Sequence, residues 1–158
     1  MEHHPNLSET IQKLEHYCAY QERCHQEVAE KLRTLGIWGD KADAVIVHLL
    51  DNNYLNEERF ACAFARGKHR IKSWGRNRIV NELKMRGISR FNITTALNEI
   101  DPLEYADHFD KLSLRHWESL SEKNALKKRK KFCDFLLRKG FESDLIYDKV
   151  KILEQDNC

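Results

Sequence analysis

Apolar residues recur at the same relative positions in three consecutive segments of the chain. Each segment is anchored by a glycine, and the three glycines lie 51 and 53 residues apart. A leucine stands four residues before each glycine and another apolar residue eight before, so both side chains share one helix face. A third apolar residue follows each glycine directly. The repeated sets are Val28, Leu32, Gly36 and Ile37; Ile79, Leu83, Gly87 and Ile88; and Phe132, Leu136, Gly140 and Phe141.

Each anchoring glycine is predicted to end a helix, and another helix is predicted after it. A glycine beyond the last helical turn adopts the left-handed conformation without steric cost, and the next apolar residue packs back on the helix end. Further on, apolar residues follow the i, i+4, i+7 spacing of an amphipathic helix. These stripes are Ala42, Ile46 and Leu49; Ile93, Leu97 and Ile100; and Ile146, Val150 and Leu153.

Each segment also has room for an earlier helix. These first helices are expected near 8–21, 57–71 and 103–118. Asn56 and Asp101 are predicted to cap the last two, and Asp40 to cap the third helix of the first segment, since short polar side chains accept hydrogen bonds from helix N-termini. The Trp74-Gly75 pair is predicted to separate the first and second helices of the middle segment.

The pattern predicts an all-α fold, because the alternation typical of strands is absent. Nine helices group into three tandem three-helix repeats, which we expect to stack into an elongated, curved array. The predicted repeats are residues 1–53, 54–101 and 102–158.

The composition of the 158 residues is polar, with 33% charged and 41% apolar residues. No apolar run approaches the roughly 20 residues that cross a bilayer. The N-terminal stretch MEHHPNLSET lacks the apolar core of a signal peptide. The five cysteines are odd in number and form no CxxC pair, which favours reduced thiols. We therefore expect a cytoplasmic protein that does not bind membranes.

Motifs of catalysis are missing from the sequence. It contains no phosphate-binding loop, dinucleotide fingerprint, zinc-protease helix or serine-hydrolase elbow. The paired carboxylates Glu57 and Glu58 stand at a predicted helix start, where acids complement the helix dipole. We expect no enzymatic activity, no cofactor and no bound metal.

Positive charge is concentrated in two segments, although the net charge is only +2. Residues 66–90 hold nine Lys or Arg and one acid, and residues 127–139 hold seven and one. Such segregation suits a polyanion or an acidic protein face better than a small neutral substrate. The candidate binding surface comprises Arg66, Lys68, Arg70, Lys72, Arg76, Arg78, Lys84, Arg86, Lys127, Lys128, Arg129, Lys130 and Lys131.

Two interpretations of the stretch around Trp74 stay open. Arg and Lys beside an aromatic ring suit phosphate contact with stacking. Alternatively, Trp74 packs between helices and the cations form a solvated face. We prefer packing for Trp74 and a partner for the cations. The second basic stretch, KKRKKF at 127–132, is predicted to be a basic helix face opposite Phe132 and Leu136.

The middle third of the chain resembles the central motif of the RecX family, bacterial regulators of the RecA recombinase. The family pattern is an apolar or aromatic pair, an acidic turn, RFA, a basic helix end and I..EL..RGI. In the first segment Glu27, Leu32 and Gly36 also match, whereas the third matches through its apolar register and Gly140. The central matches are Tyr54-Leu55, Asn56-Glu57-Glu58, Arg59-Phe60-Ala61, the cations of 66–72, Ile79, Glu82-Leu83 and Arg86-Gly87-Ile88.

This resemblance implies three tandem three-helix repeats that bind along the groove of a filament of RecA on single-stranded DNA. Family members restrain strand exchange, ATP hydrolysis and co-protease activity, which places them in DNA repair, recombination and the SOS response. It implies RecA as partner, with weak contact to single-stranded DNA, and we expect the chain to act as a monomer.

Two other functions remain open from the residues. The segment WGRNRIVNELKMRGIS could enter a DNA groove as a recognition helix, with Arg78, Asn81 and Arg86 reading bases. The spacing of Ile79 and Leu83 disfavours this, because it commits one face of that helix to the core. The chain could also be a helical-repeat adaptor for another acidic protein.

Overall fold

Nine α-helices follow one another in the computed structural model, which describes residues 6–156. No strand occurs within that range, so the all-α prediction is confirmed. Cys158 and the first five residues of the N-terminal stretch lie outside it. The helices are α1 (Leu7–Tyr20), α2 (His25–Thr34), α3 (Asp40–Asp51), α4 (Glu57–Lys72), α5 (Arg76–Met85), α6 (Arg90–Asn98), α7 (Pro102–Ser119), α8 (Ala125–Lys139) and α9 (Ser143–Asp156).

The three anchoring glycines end their helices in the predicted way. Their φ angles are +76°, +74° and +97° at Gly36, Gly87 and Gly140, in the left-handed region. Each following amide donates across the helix end to the leucine carbonyl, at 2.9 Å from Ile37, 3.1 Å from Ile88 and 3.2 Å from Phe141. The amide of each glycine bonds one residue further along, which completes a Schellman motif three times.

The core contains the leucine that recurs in each of the three segments and the apolar residue four positions before it. All six side chains, Val28, Ile79 and Phe132 with Leu32, Leu83 and Leu136, are fully buried. In α3 the predicted stripe needs correction, because Val45 and Leu49 are fully buried while Ala42 and Ile46 are only partly buried. Helix α3 packs against both α1 and α2, so its apolar face is wider than one stripe.

Two of the three predicted N-caps are confirmed. The side chain of Asn56 accepts from the amide of Arg59 at 2.9 Å, and that of Asp101 from the amide of Leu103 at 3.4 Å. The prediction for Asp40 was wrong. Gly39, with φ +66°, precedes the helix, and Asp40 is its first residue. Its carboxylate there complements the helix dipole instead.

Packing divides the chain into two compact units. Unit 1 comprises Met1–Ala63 with Leu83–Thr95, and unit 2 comprises Phe64–Glu82 with Ala96–Cys158. The core of unit 1 gathers around Leu14, Val28 and Leu49, and unit 2 contains the fully buried Phe132 and the almost fully buried Phe141. The boundaries of the three repeats stay predictions.

The cysteines within residues 6–156 are Cys18, Cys24, Cys62 and Cys133, and all four are free and buried. Burial raises the pKa of the Cys18 thiol to about 11, which keeps it protonated at neutral pH. Across the same residues, no helix combines the length and the apolar character that a bilayer crossing requires.

Candidate nucleic-acid interface

Six of the thirteen predicted surface cations are paired with carboxylates in unit 2. Most of these pairs join residues far apart in the chain, so they link helices. Because water screens exposed charges, each pair stabilises the fold only weakly. The pairs are Arg66–Glu99 at 3.1 Å, Arg70–Glu104 at 2.9 Å, Arg76–Glu142 at 3.4 Å, Arg129–Glu154 at 2.7 Å, Lys130–Asp134 at 2.7 Å and Lys131–Glu122 at 3.0 Å.

Most of the cations on the basic face of α8 therefore contact other side chains of the same chain. The guanidinium of Arg129 makes two parallel bonds of 2.7 Å to the Glu154 carboxylate. This hydrogen bonding lowers the pKa of Glu154. The ammonium of Lys128 lies 4.0 Å from the ring centroid of Trp117, and Lys127 is exposed. Phe132 and Leu136 face the core, as predicted.

The Trp74 side chain packs within unit 2, and two of the predicted cations lie against its indole ring. Its indole is half-buried and meets the Phe64 ring edge-on, with centroids 6.1 Å apart. The guanidinium carbon of Arg78 lies 4.1 Å from the indole centroid, and the ammonium of Lys68 lies 5.0 Å from it. Both distances are in the range of cation–π attraction. Trp74 therefore makes a packing contact, while part of its ring stays exposed.

One further cation joins this group from the end of α8, because the ammonium of Lys139 donates to the main-chain carbonyl of Lys72 at 3.0 Å. The guanidinium of Arg78 also donates to the main-chain carbonyl of Arg138 at 3.2 Å, whereas the Arg138 guanidinium donates to the Asp134 carbonyl of its own helix at 3.4 Å. We call Lys68, Arg78 and Lys139 the Trp74 cation cluster. Among residues 6–156, none of the three has a carboxylate within salt-bridge distance.

Lys139 is not among the thirteen predicted residues. Its place in the basic segment 127–139 was the available signal, but only the fold brings it next to the turn that carries Trp74. Of the remaining predicted residues, Lys84 is exposed at the end of α5, and Arg86 is half-buried and engaged within the chain.

A close approach of two glycines joins the turn before α5 to the end of α8. The amide of Gly75 donates to the carbonyl of Lys139 at 2.7 Å, and the amide of Asn77 donates to the carbonyl of Gly140 at 2.9 Å. Gly75 is buried, and a Cβ atom built on it would lie 2.4 Å from the carbonyl carbon of Gly140. Only glycine permits this contact, which holds the cation cluster together.

Tyr105 supports the same contact from α7. Its hydroxyl accepts from the Arg76 amide at 3.1 Å and donates to the Glu142 carboxylate at 2.7 Å. The Arg76 guanidinium lies 3.8 Å from the centroid of the Tyr105 ring. Burial, more than any other cause, raises the pKa of Tyr105, so its hydroxyl stays a donor. Arg76 is consequently engaged inside the unit.

His69 lies under Trp74 and is 1% exposed. Its Nδ1 is 3.0 Å from the carbonyl of Trp74, and its ring stacks on Tyr105 and His108 with centroids 5.2 and 4.7 Å away. Bonding to a carbonyl requires the proton on Nδ1, which leaves Nε2 bare and without a partner. Burial lowers the pKa of His69.

We expect the free energy of unfolding to fall as the pH drops below about 6.5. The folded state holds His69 neutral, and burial also lowers the pKa of His116, while both are protonated more readily in the unfolded chain. The unfolded state then binds more protons and is favoured. Urea unfolding at pH 7.5 and 5.5 measures the loss, which should shrink in His69→Leu. An equal loss in that variant would contradict the role of His69.

The class of protein follows from the helices, the glycines that end them and the cations on their faces. The chain is an all-α protein built from tandem three-helix repeats. Residues 56–97 match the profile described as RecX, second three-helix domain, and residues 104–150 match RecX, third three-helix domain. The two matches cover more than half of the chain, which belongs to the RecX family.

Similar proteins carry the same family name. The regulatory protein RecX of Bacillus cytotoxicus is 29% identical over 140 residues, 89% of this chain and 52% of that protein. That of Clostridium perfringens is 31% identical over 124 residues, 77% of this chain and 58% of its own length. The chain thus spans about half the length of the curated relatives it matches.

Solved structures show the same fold. The crystal structure of RecX from Lactobacillus salivarius has a TM-score of 0.77 at 27% identity, and the match covers 96% of this chain and 97% of that one. A second structure of a regulatory protein RecX gives a TM-score of 0.80, with 92% of this chain and 71% of that one covered. Its 21% identity supports the fold alone.

Proposed function

We propose that this chain binds the filament of RecA on single-stranded DNA and modulates it, mostly by inhibition of the recombinase, ATPase and co-protease activities. The observation that carries the proposal is membership in a family whose relatives are named regulatory proteins. In the cell this activity would act in DNA repair and the SOS response.

The surface chemistry supports a binding function. Several cations of unit 2 face solvent, and a filament offers both acidic protein and phosphate as counter-charges. Separate weak contacts on one folded scaffold act together, since the first bound contact raises the effective concentration of the others. Binding alone, without a chemical step, is sufficient for this mode of inhibition.

The structure gives less support to a recognition helix that reads duplex DNA. In α5 the side chains of Ile79 and Leu83 are fully buried. Arg76 is held by Tyr105 and Glu142, and Arg78 lies against Trp74. A reader helix needs free side chains along its groove-facing surface. No observation favours an adaptor for another acidic protein over the RecA filament.

The proposal predicts that the chain slows RecA at substoichiometric ratios. We expect the rates of strand exchange and of DNA-dependent ATP hydrolysis to fall by about half or more, because one bound molecule engages several filament contacts. Both rates are measured against increasing amounts of the chain.

An unrelated helicase on the same DNA serves as the control. Equal inhibition of its ATPase would mean that the chain merely coats the DNA. Unchanged RecA rates up to a several-fold molar excess of the chain would refute the proposal.

A further inference from the structure

We propose that the chain associates with further copies of itself, head to tail. The end of α2 in one copy receives the start of α8 from the next. The receiving surface, which we call the α2 recess, is lined by Leu7, Leu35, Ile37 and Ala44 beside Gly36. The inference goes beyond the proposed function, because this contact needs neither RecA nor DNA.

The chain already contains two contacts of this kind, each between the first turn of one helix and the glycine end of another. The Gln26 side chain, at the second position of α2, donates to the carbonyl of Met85 at 3.0 Å, where α5 ends. The amide of Asn77, at the second position of α5, donates to the carbonyl of Gly140 at 2.9 Å, where α8 ends. The same two parts of a repeat therefore meet at both junctions.

Two halves of this junction have no counterpart among residues 6–156, the end of α2 and the start of α8. A Cβ atom built on Gly36, at the end of α2, meets nothing within 4 Å in that range. The same atom lies 3.6 Å from the Gln26 side-chain amide at Gly87 and 2.3 Å from the Arg78 Cβ at Gly140. The end of α2 is thus the uncovered equivalent of two helix ends that another helix covers.

The α2 recess is mostly apolar and has a volume of about 520 Å³. Ile37 in its wall is only partly buried, whereas Ile88 and Phe141 at the equivalent positions are 7% and 1% exposed. Trp38, which follows Ile37 in the chain, is 71% exposed. The terminal repeats of a helical array need a polar outer face if nothing covers them. An apolar recess next to an exposed tryptophan therefore indicates a surface that another molecule covers.

The start of α8 has the shape to fill this recess. Leu126 occupies the second position of α8, as Gln26 and Asn77 do in their helices, and is 78% exposed. Helix α8 begins 15 residues before Gly140, whereas α2 and α5 begin 11 before their glycines. The four additional residues extend its start by about 6 Å, at 1.5 Å per residue. An exposed leucine on a projecting helix start matches an apolar recess on the other surface.

Opposite charges surround the two surfaces. Lys123 and Lys127 are exposed at the start of α8. Asp40 and Asp43 are exposed in the first turn of α3, beside the recess, and outnumber Lys41 on the same rim. Within the described residues, none of these side chains has a salt-bridge partner. The last carbonyls of α2 add partial negative charge, so electrostatic attraction orients the start of α8 towards the recess.

A second copy of this chain is the occupant because each copy carries both halves of the junction. Such a contact is heterologous, so every added copy leaves a new end open. One recess and one helix start bury less than the roughly 1,200–2,000 Å² of a stable interface, so the dissociation constant should be on the order of 100 µM. The dilute chain is then a monomer, whereas copies bound side by side on one filament gain a contact with each neighbour.

The test uses one variant for each surface. Leu126→Glu removes the leucine and brings a carboxylate towards Asp40, and Ala44→Arg fills the recess and repels the lysines of α8. The matched controls are Leu103→Glu, at the 81% exposed second position of α7, and Ala19→Arg, at an exposed position of α1. All four positions are exposed, so circular dichroism should show unchanged helicity in every variant.

Sedimentation velocity measures the weight-average mass of each protein from about 10 to 500 µM, a range that brackets the expected dissociation constant. We expect the mass of the wild type to rise by about half or more above that of one chain, and both controls to follow it. Leu126→Glu and Ala44→Arg should each stay at the mass of a monomer. Their equimolar mixture should associate again but stop at two chains, because each variant retains the half that the other has lost.

Three results would overturn the proposal. They are a wild type that is monomeric throughout the range, an end variant that associates as the wild type does, and a mixture of the two end variants that stays monomeric. RecA is absent from these measurements, so the two proposals fail separately. A chain that inhibits RecA but never self-associates refutes only the head-to-tail contact, and one that self-associates without inhibiting RecA refutes only the proposed function.

Discussion

Replacing Gly75 with alanine is expected to lower the free energy of unfolding by about 3 kcal/mol or more, as overpacking against a rigid neighbour does. The new Cβ would lie 2.4 Å from the carbonyl carbon of Gly140 and 2.5 Å from its oxygen and from the amide of Phe141. These are backbone atoms, which cannot swing away as the end of a side chain can. Urea unfolding followed by circular dichroism measures the effect.

Part of this loss in the free energy of unfolding comes from hydrogen bonds that break when the new Cβ pushes the two backbone segments apart. The amides of Gly75 and Asn77 both donate to carbonyls at the end of α8, and each such bond is worth about 1 kcal/mol. Gly140→Ala should behave similarly, because its Cβ would lie 2.3 Å from that of Arg78 and its φ of +97° is unfavourable to alanine.

Gly67→Ala is the matched control. Gly67 lies inside α4, and a Cβ atom there meets nothing within 4 Å. Because alanine favours a helix over glycine, this variant should be more stable by about 0.5–1 kcal/mol. If Gly75→Ala unfolded at the same urea concentration as the wild type, the close approach to Gly140 would be excluded.

The helix ends were predictable because their causes are local. A glycine with an apolar residue after it and a leucine four before it contains everything that a Schellman motif requires. Three copies in one register then fixed the order of the helices. The same local rules placed the caps at Asn56 and Asp101, and failed at Asp40, where Gly39 left the choice of the first helical residue open.

Contacts between distant residues were not predictable. The pattern marks Gly75 as a turn but does not reveal that it lies against Gly140. The burial of Val45 likewise depends on α3 meeting two helices at once. Such features follow from tertiary packing, which a single stripe in one helix does not encode.

At the candidate surface, too, the local sequence was informative, whereas contacts between distant residues could not be predicted from it. A count of charges along the chain predicts that residues 66–90 are strongly basic. In the structure, Glu99, Glu104 and Glu142 form ion pairs with three of those cations. The effective charge is therefore smaller than the segment suggests. Conversely, the fold adds Lys139 to the group around Trp74.

Replacing Phe141 with alanine should cost about 3–5 kcal/mol, the range for truncation of a buried phenylalanine. Phe141 is 1% exposed, and its ring packs against Tyr105 and Phe109 with centroids 5.5 and 5.1 Å away. The truncation leaves a cavity beside the Gly75–Gly140 contact. The loss is measured by urea unfolding at constant pH.

Phe91→Ala removes the same atoms from a side chain that is 76% exposed, so its effect should stay below about 0.5 kcal/mol.

The equivalent positions of the other two repeats extend the test. Ile88 is 7% exposed and Ile37 only partly buried, although all three residues make the same backbone bond across a helix end. Alanine should therefore cost most at Phe141, less at Ile88 and least at Ile37. Equal costs at all three would show that the local helix end, and not burial, sets the contribution of this residue.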